Sequence, residues 1–156
     1  MTSSNIRSAE VADIPGLVAL MTEFYAEADF ALPKGPARQT FEQLIQDPRL
    51  GEVWIMECDG YPAGFIVLTV CFSMEYGGLR GFVDDFFVLK QYRGRGLGAA
   101  ALAEVRRSCR SRKVRALLVE TGPDNESALR VYRRAGFTDS GHLLLTMPLE
   151  SPVHDQ

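Results

Sequence analysis

The sequence has few cysteines and no arrangement of them that would bind a metal or cross-link the chain. Cys58, Cys71 and Cys109 are scattered along the 156 residues, with no C-x-x-C pair and no cluster with histidine. An odd number of dispersed cysteines disfavours a disulfide framework, and the missing cluster disfavours a zinc site. We therefore expect no metal, and the thiols fit a reducing compartment.

Long apolar stretches and an excess of positive charge are also missing. No apolar run approaches the roughly 20 residues that cross a bilayer, and no basic-apolar leader opens the chain. The net charge is −3 and the pI is near 5.4, whereas a nucleic-acid partner requires a basic surface. We therefore expect a cytoplasmic protein that binds neither a membrane nor a nucleic acid.

The chain does contain enough apolar residues for one core. Hydrophobic residues make up 46% of the sequence and charged residues 24%, which is the composition of an ordinary globular domain. At this length we expect a single domain over residues 1–150, followed by a frayed tail at 151–156.

Hydrophobic periodicity in the first half predicts two helices and then a run of strands. Apolar residues at helical spacing predict a helix over 13–28 and a shorter helix before Pro48. Residues 53–89 instead form three apolar, strand-like runs that are separated by turn signals at 59–60 and 76–78. These hairpins favour an antiparallel meander over the parallel strands of a Rossmann domain.

The second half alternates between the two periods. Helical spacing predicts a helix over 97–111 and a last helix that begins near Asn125 and ends at Gly136. Residues 116–120 form a short buried strand, and residues 142–147 are predicted to form a closing strand. The resulting fold class is α/β (α+β), with helices packed against a mixed sheet.

A glycine- and arginine-rich turn joins the third apolar run to the following helix. Glycines let the backbone approach a phosphate, and the unpaired first amides of a helix favour negative charge. Arginines in the turn add fixed positive charge. The pattern predicts a pyrophosphate site whose cofactor-binding residues are Arg93, Gly94, Arg95, Gly96, Leu97 and Gly98.

Two other nucleotide-binding turns fit this stretch less well. A P-loop would need Gly-Lys-Ser/Thr after its second glycine, and none follows. A dinucleotide fingerprint fits loosely, since Gly94, Gly96 and Ala99 match G-x-G-x-x-A and Glu120 lies at a suitable distance. Four residues nevertheless separate the apolar run from the first glycine. A nicotinamide-dependent oxidoreductase therefore stays as the less favoured alternative.

The turn resembles the acetyl-coenzyme A (acetyl-CoA) signature of the GNAT superfamily of N-acetyltransferases, Arg/Gln-x-x-Gly-x-Gly/Ala. Two overlapping matches begin at Gln91 and at Arg93. A second block, residues 125–137, resembles the closing GNAT motif Asn-x-x-Ala-x-x-x-Tyr-x-x-x-Gly-Phe. Residues 84–88, Asp-Asp-Phe-Phe-Val, are similar to the corresponding stretch of polyamine acetyltransferases. The N-terminal half fits the family only in the order of its elements.

The resemblance implies a mostly antiparallel central sheet that is split by a β-bulge near Phe87 and Val88. Acetyl-CoA would lie in the opening, with its pantetheine arm against the backbone of Val88 and Leu89 and with Asn125 as a further contact or a helix cap. A backbone amide near Val88 would polarise the thioester carbonyl. The implied reaction is transfer of the acetyl group to a primary amine by direct attack.

The resemblance also implies an acid and a base. An amine with a pKa near 10.4 must lose a proton before it attacks. Asp84 aligns with the acidic residue that takes this proton in polyamine acetyltransferases. Asp85 would face the other side of the strand, so that only one of the two is expected in the cleft. Tyr132 matches the tyrosine that protonates the leaving thiolate in many GNAT enzymes.

The acceptor is predicted to be a small cationic amine. Glu23 and Glu27 on the first helix form, together with Asp85, an acidic group that would attract a cation, although a solvated helix face is the simpler explanation of the two glutamates. The sequence leaves the oligomeric state open between a monomer and a homodimer, the form that many GNAT relatives adopt. The principal alternative is a non-catalytic acyl-CoA-binding domain, but the presence of both Asp84 and Tyr132 favours an enzyme.

Overall fold

The computed structural model describes residues 1–150; the predicted frayed tail at 151–156 lies outside the described residues. Its elements, in chain order, are β1 (Ser4–Ser8), α1 (Ile14–Glu27), α2 (Lys34–Gln46), β2 (Gly51–Cys58), β3 (Tyr61–Ser73), β4 (Gly78–Val88), α3 (Leu97–Ser111), β5 (Ala116–Val119) and α4 (Glu126–Ala135). Single 3₁₀ turns precede α1 and follow β4. No helix in this described range is long and apolar enough to cross a membrane.

The five strands form one sheet in the order β1-β2-β3-β4-β5. The first four strands pair antiparallel, and β5 pairs parallel with β4. Asp59 and Gly60 both adopt positive φ angles, 51° and 81°, as a tight hairpin turn between β2 and β3 requires. The predicted mixed, mostly antiparallel sheet with flanking helices is confirmed.

Side-chain alternation along the strands builds one apolar core on each face of the sheet. Val53 and Ile55 of β2 pack with α1 and α2, whereas Trp54 and Met56 pack with α3 and α4. Successive strand residues point to opposite faces, so that a continuous apolar strand fills both cores. The sheet is therefore the middle layer of three.

A β-bulge in β4 lies at Asp84. Val67 of β3 pairs with Asp85 and Leu68 pairs with Val83, which leaves Asp84 as the extra residue. The bulge expected near Phe87 and Val88 is therefore placed three to four residues too late in the sequence-based prediction. Both of those residues pair regularly, with Phe65 and Gly64, because the apolar run continues past the carboxylates.

The sheet opens directly after the bulge. Within the described chain, β5 pairs with β4 only from Arg80 to Val83. From Asp84 onwards the two strands separate, and β4 presents its edge to the gap between them. The split that the resemblance implied is present, and it begins at the two aspartates.

The predicted closing strand over 142–147 is wrong. Residues 137–150 contain neither helix nor strand. Leu143 and Leu145 are each 89% exposed, and Met147 is 80% exposed. An apolar sequence becomes a strand only when another strand completes its hydrogen bonds, and this segment runs along no neighbouring strand of the described sheet.

Candidate active site

The glycine turn leaves open space above the start of α3. Gly94 and Gly96 have φ angles of +77° and +82°, which side chains other than glycine rarely adopt. A Cβ atom at either position would meet nothing within 4 Å. Glycine is therefore needed for the backbone path, and the surface beside the unpaired amides of α3 is free to receive an anion.

Gly98 has a different role from the other two glycines. A Cβ atom at Gly98 would lie 2.9 Å from Cζ of Phe86, which is closer than real contacts allow. The missing side chain lets β4 pack against the first turn of α3. Gly98 thus helps to position the turn, and its predicted contact with the cofactor stays a prediction.

The two arginines of the turn are already engaged by protein groups. Arg93 contacts a carboxylate oxygen of Glu27 at 2.7 Å and donates to the Val88 carbonyl at 2.8 Å. Arg95 donates to the Gln91 carbonyl at 3.2 Å and lies over the ring of Tyr92. Arg93 therefore links the turn to α1. Glu27 neutralises the positive charge of Arg93, which the sequence pattern assigns to a phosphate of the cofactor.

The backbone of β4 offers one amide to the opening. The Leu89 N–H donates to the Ala63 carbonyl of β3 at 2.8 Å. Because neighbouring residues of a strand direct their polar groups to opposite sides, the N–H and C=O of Val88 point into the gap. The predicted backbone contact is thus retained for Val88, whereas the amide of Leu89 faces away from it.

The bulge places both aspartates on the same face of the sheet. Val83 and Phe86 pack toward α3, and Phe87 packs toward α1 and α2. The extra residue interrupts the alternation, so that Asp84 and Asp85 both line a cavity on the α1–α2 side. The expectation that only one of them reaches the cleft is wrong, because it assumed a regular strand.

This cavity has a volume of about 560 Å³. Tyr25 of α1, Phe41 of α2 and Val67 of β3 bound it together with the two aspartates. Glu23 and Glu27, predicted to contact the substrate, are exposed on α1 and do not line it. The acidic residues of this cavity are therefore Asp84 and Asp85 on β4 and not the two glutamates on α1.

Burial makes ionisation of the two carboxylates less favourable than in water. Burial raises the pKa of Asp85 to about 7, and the charge of Asp84 adds to the effect. Burial also raises the pKa of Asp84. The Tyr25 hydroxyl has its pKa raised to about 12 by burial and by both carboxylates. An amine cation would relieve this concentration of negative charge.

Tyr132 approaches β4 from the opposite face. Its side chain is only 7% exposed, and its ring packs 6.0 Å from that of Phe86 and 5.5 Å from that of Phe137, between ring centres. Burial raises the pKa of Tyr132 to about 12. The phenol is therefore protonated at neutral pH and available as a donor.

Asn125 begins the helix that carries Tyr132. Its side-chain oxygen accepts a hydrogen bond from the Ala128 backbone N–H at 3.2 Å, which satisfies one of the open amides of α4. Helix capping, one of the two roles open for Asn125, is thus observed. The cap fixes the direction of α4 and hence the position of Tyr132.

Sequence reasoning missed Tyr25 and the apolar part of the cavity. Tyr25 lies one helical turn after Met21, and both line the cavity. That spacing was available in the sequence, but it also fits a helix that only packs against the core. The sequence of α1 alone does not show that α2 lines the same cavity as the face of α1 that carries Tyr25.

The sheet opens beside β4, a glycine turn lies at the N-terminus of α3, and a buried tyrosine and two carboxylates lie on opposite faces of the open strand. The model of the acetyltransferase (GNAT) family matches residues 17–137. The chain belongs to this family and is an acetyl-CoA-dependent N-acetyltransferase.

Several known proteins are similar along most of the chain. An L-methionine sulfoximine/L-methionine sulfone acetyltransferase of Pseudomonas aeruginosa is 24% identical over 90% of this chain and 84% of its own. An uncharacterized N-acetyltransferase of Archaeoglobus fulgidus is 32% identical over 81% of this chain and 88% of its own.

Solved structures repeat the fold. An integron cassette protein from the mobile metagenome of Cole Harbour Salt Marsh superposes with a TM-score of 0.89 at 52% identity, covering 96% of this chain and 93% of its own. An aminoglycoside N-acetyltransferase in complex with coenzyme A superposes with a TM-score of 0.81 at 19% identity, covering 96% and 97%.

Proposed function

We propose that this enzyme acetylates a small, cationic primary amine by direct attack on the thioester of acetyl-CoA. The observation that carries the proposal is the pair Asp84 and Asp85 in a cavity at the point where the sheet opens. The named substrates of two relatives, methionine sulfoximine and an aminoglycoside, are small amines, which supports a small-molecule acceptor.

Acetyl-CoA fits the surface beside β4 and α3. The open backbone of Gly94 and Gly96 and the amides at the start of α3 would hold its pyrophosphate. The Val88 N–H would polarise the thioester carbonyl. When bound, acetyl-CoA supplies the activated acetyl group, and the remaining steps belong to side chains of this protein.

The two aspartates divide the work of binding and deprotonation. Asp85, with a pKa near neutrality, takes the proton of the attacking ammonium, as a base matched to the working pH should. Asp84, which the resemblance aligned with the base of polyamine acetyltransferases, is the more exposed of the two and orients the ammonium. A C–N bond forms, the C–S bond breaks as the tetrahedral intermediate collapses, and the second proton of the nitrogen passes to solvent. Tyr132 then protonates the thiolate and recovers its proton from solvent.

The proposal is tested by release of coenzyme A thiol from acetyl-CoA across a panel of amines. Cationic amines should be turned over, and kcat/KM should fall several-fold between about 20 mM and 300 mM salt as screening shortens the attraction. Rapid acetylation of anionic or neutral amines, with cationic amines ignored, would contradict it. A kcat/KM that does not change with salt would show that the aspartates do not attract the substrate electrostatically.

We also propose that the enzyme is a homodimer. Leu143, Leu145, Met147 and Leu149 expose their side chains along one short segment, and apolar surface of this kind is usually covered by a partner. A second copy of the chain is the partner that is always present. Sedimentation equilibrium of the parent should give twice the mass of one chain. The double variant Leu143→Glu with Leu145→Glu should have the mass of a single chain. A parent that sediments as a single chain would contradict the proposal.

A further inference from the structure

We propose that the preferred acceptor is a monoamine with an apolar body and no carboxylate. This inference rests on the proposed function, because it concerns the cavity in which the acceptor amine is deprotonated. It narrows the acceptor from any cationic amine to one chemical class. Three properties of the cavity lead to it: the charge of its lining, the position of that charge, and its apolar wall.

The cavity has no positive group to receive an anion. Among the described residues that line it, Asp84 and Asp85 are the charged ones, and none is lysine, arginine or histidine. A carboxylate on the acceptor would lose its hydration on entering the cavity. It would then lie near two negative charges with no cation to pair with it. The α-carboxylate of an amino acid is therefore rejected here, although a relative is named for acetylating an amino-acid analogue.

Both negative charges of the cavity lining lie side by side. Asp84 and Asp85 are adjacent in the chain, at the bulge of β4. The lining contributed by α1 and α2 contains no acidic residue. A second ammonium several bonds away from the first would lie against apolar or neutral side chains. Polyamines and long diamines therefore gain nothing from their additional charge and lose its hydration.

The rest of the cavity is suited to a hydrocarbon. Its apolar wall is formed by Met21, Leu32, Phe41, Leu44, Val67 and Val70. Leu32, Phe41 and Val67 are almost completely buried and so form a fixed surface. The volume of about 560 Å³ lies in the range of small-molecule sites, which are mostly apolar with a few placed polar groups. An aromatic or branched aliphatic body would fill it.

The experiment compares one polyamine with three acceptors that share a phenylethylamine body. The full chain is assayed with acetyl-CoA and 2-phenylethylamine, L-phenylalaninamide, L-phenylalanine or spermidine. We expect kcat/KM for 2-phenylethylamine to exceed that for spermidine at least tenfold. L-phenylalaninamide should exceed L-phenylalanine by a similar factor, since the two differ in the carboxylate and share the branched carbon.

A variant pair tests the cause of the discrimination. Gln43 and Gln39 lie one turn apart on α2 and are both exposed, but only Gln43 lines the cavity. Gln43→Arg supplies the missing cation. It should lower the ratio of kcat/KM for L-phenylalaninamide to kcat/KM for L-phenylalanine at least threefold. Gln39→Arg adds the same charge outside and should leave the ratio unchanged.

The outcomes separate this inference from the function on which it rests. If none of these or other primary amines releases thiol, the proposed function fails. If spermidine or L-phenylalanine is turned over as well as 2-phenylethylamine, the function stands and the inference is overturned. An unchanged ratio in Gln43→Arg also overturns it, because the charge of the cavity would then not select the acceptor.

Discussion

The proposed cofactor surface and the proposed acceptor cavity of this enzyme are built in different ways. The cofactor surface comes from one continuous stretch, from Val88 to the first turn of α3, and its groups are mainly backbone amides. The cavity combines side chains of α1, α2, β3 and β4. A surface made by local backbone geometry can be recognised from its glycines, whereas a cavity made by distant side chains becomes visible only after folding.

The bulge at Asp84 joins these two regions. The pairing of β4 with β5 ends at Val83, directly before the bulge, where the proposed cofactor gap begins. The bulge also turns Asp84 and Asp85 to the same face and so supplies the cavity with its charge. The bulge therefore lies at the boundary between the two parts of the proposed site. The following variants perturb one region while leaving the other as a reference.

The largest effect is expected from the acceptor side. Asp85→Asn removes the proposed base and should lower kcat/KM by about 10²- to 10³-fold, within the range of general base catalysis. Acetyl-CoA affinity, measured by calorimetry, should change less than twofold because the cofactor surface is intact. Full activity in Asp85→Asn would return the role of base to Asp84 or to water.

The pH profile sharpens the same assignment. In the parent, kcat/KM should rise as pH increases through about 7, where Asp85 loses its proton. Asp84→Asn removes a neighbouring negative charge that raises the pKa of Asp85. The rise should therefore move to lower pH in Asp84→Asn. A midpoint that stays in place would show that another group controls the profile.

The next effect concerns the proposed acid. Tyr132→Phe keeps the ring packed against Phe86 and Phe137 and removes only the hydroxyl. We expect kcat to fall by roughly 10²-fold with little change in acetyl-CoA affinity, because the lost interaction belongs to the transition state. Tyr61→Phe, at an exposed hairpin position, is the control. Loss of affinity together with turnover would make Tyr132 a cofactor-binding residue.

The cofactor side is perturbed through the glycine turn. Gly96→Ala should weaken acetyl-CoA binding by about tenfold, or about 1.4 kcal/mol, because the methyl group enters the open space beside α3. Gly60→Ala is matched in backbone strain, since Gly60 has a φ angle of +81° and also open surroundings. Both variants should lose similar stability. Equal acetyl-CoA affinity in the two variants would contradict a phosphate site at Gly96.

The smallest effect is one of stability. The folded state raises the pKa of Asp85 to about 7, so the native protein binds this proton more tightly than the unfolded chain does. Ionisation of Asp85 then costs stability as pH rises from about 4 to above 7. Asp85→Asn should be more stable than the parent by about 1–2 kcal/mol near pH 8, and the gain should shrink toward pH 4.

Urea unfolding at the two pH values measures this difference. Glu23→Gln removes a negative charge from an exposed position on α1 and should change stability by less than about 0.5 kcal/mol at either pH. An Asp85→Asn variant that is less stable than the parent near pH 8 would mean that the ionised carboxylate is well satisfied in the native state. Ionised Asp85 would then not destabilise the folded protein.

The sequence by itself determined the features that depend on local chemistry. Glycines at 94 and 96 fixed the turn, the helical period fixed α1 and α3, and Asp59 with Gly60 fixed a hairpin. Each of these follows from the φ and ψ angles that a few neighbouring residues can adopt. For the same reason the glycine turn and the motif that contains Tyr132 could be recognised together as parts of an acetyltransferase.

Only the tertiary structure decided what depends on register and on distant partners. The pairing of β3 with β4 determined that Asp84 is the bulged residue, so that both aspartates share one cavity. The Arg93–Glu27 ion pair joins residues that are far apart in the chain. The segment 142–147 has a strand-forming sequence and yet forms no strand, because hydrogen bonds between strands come from a neighbour and not from the segment itself.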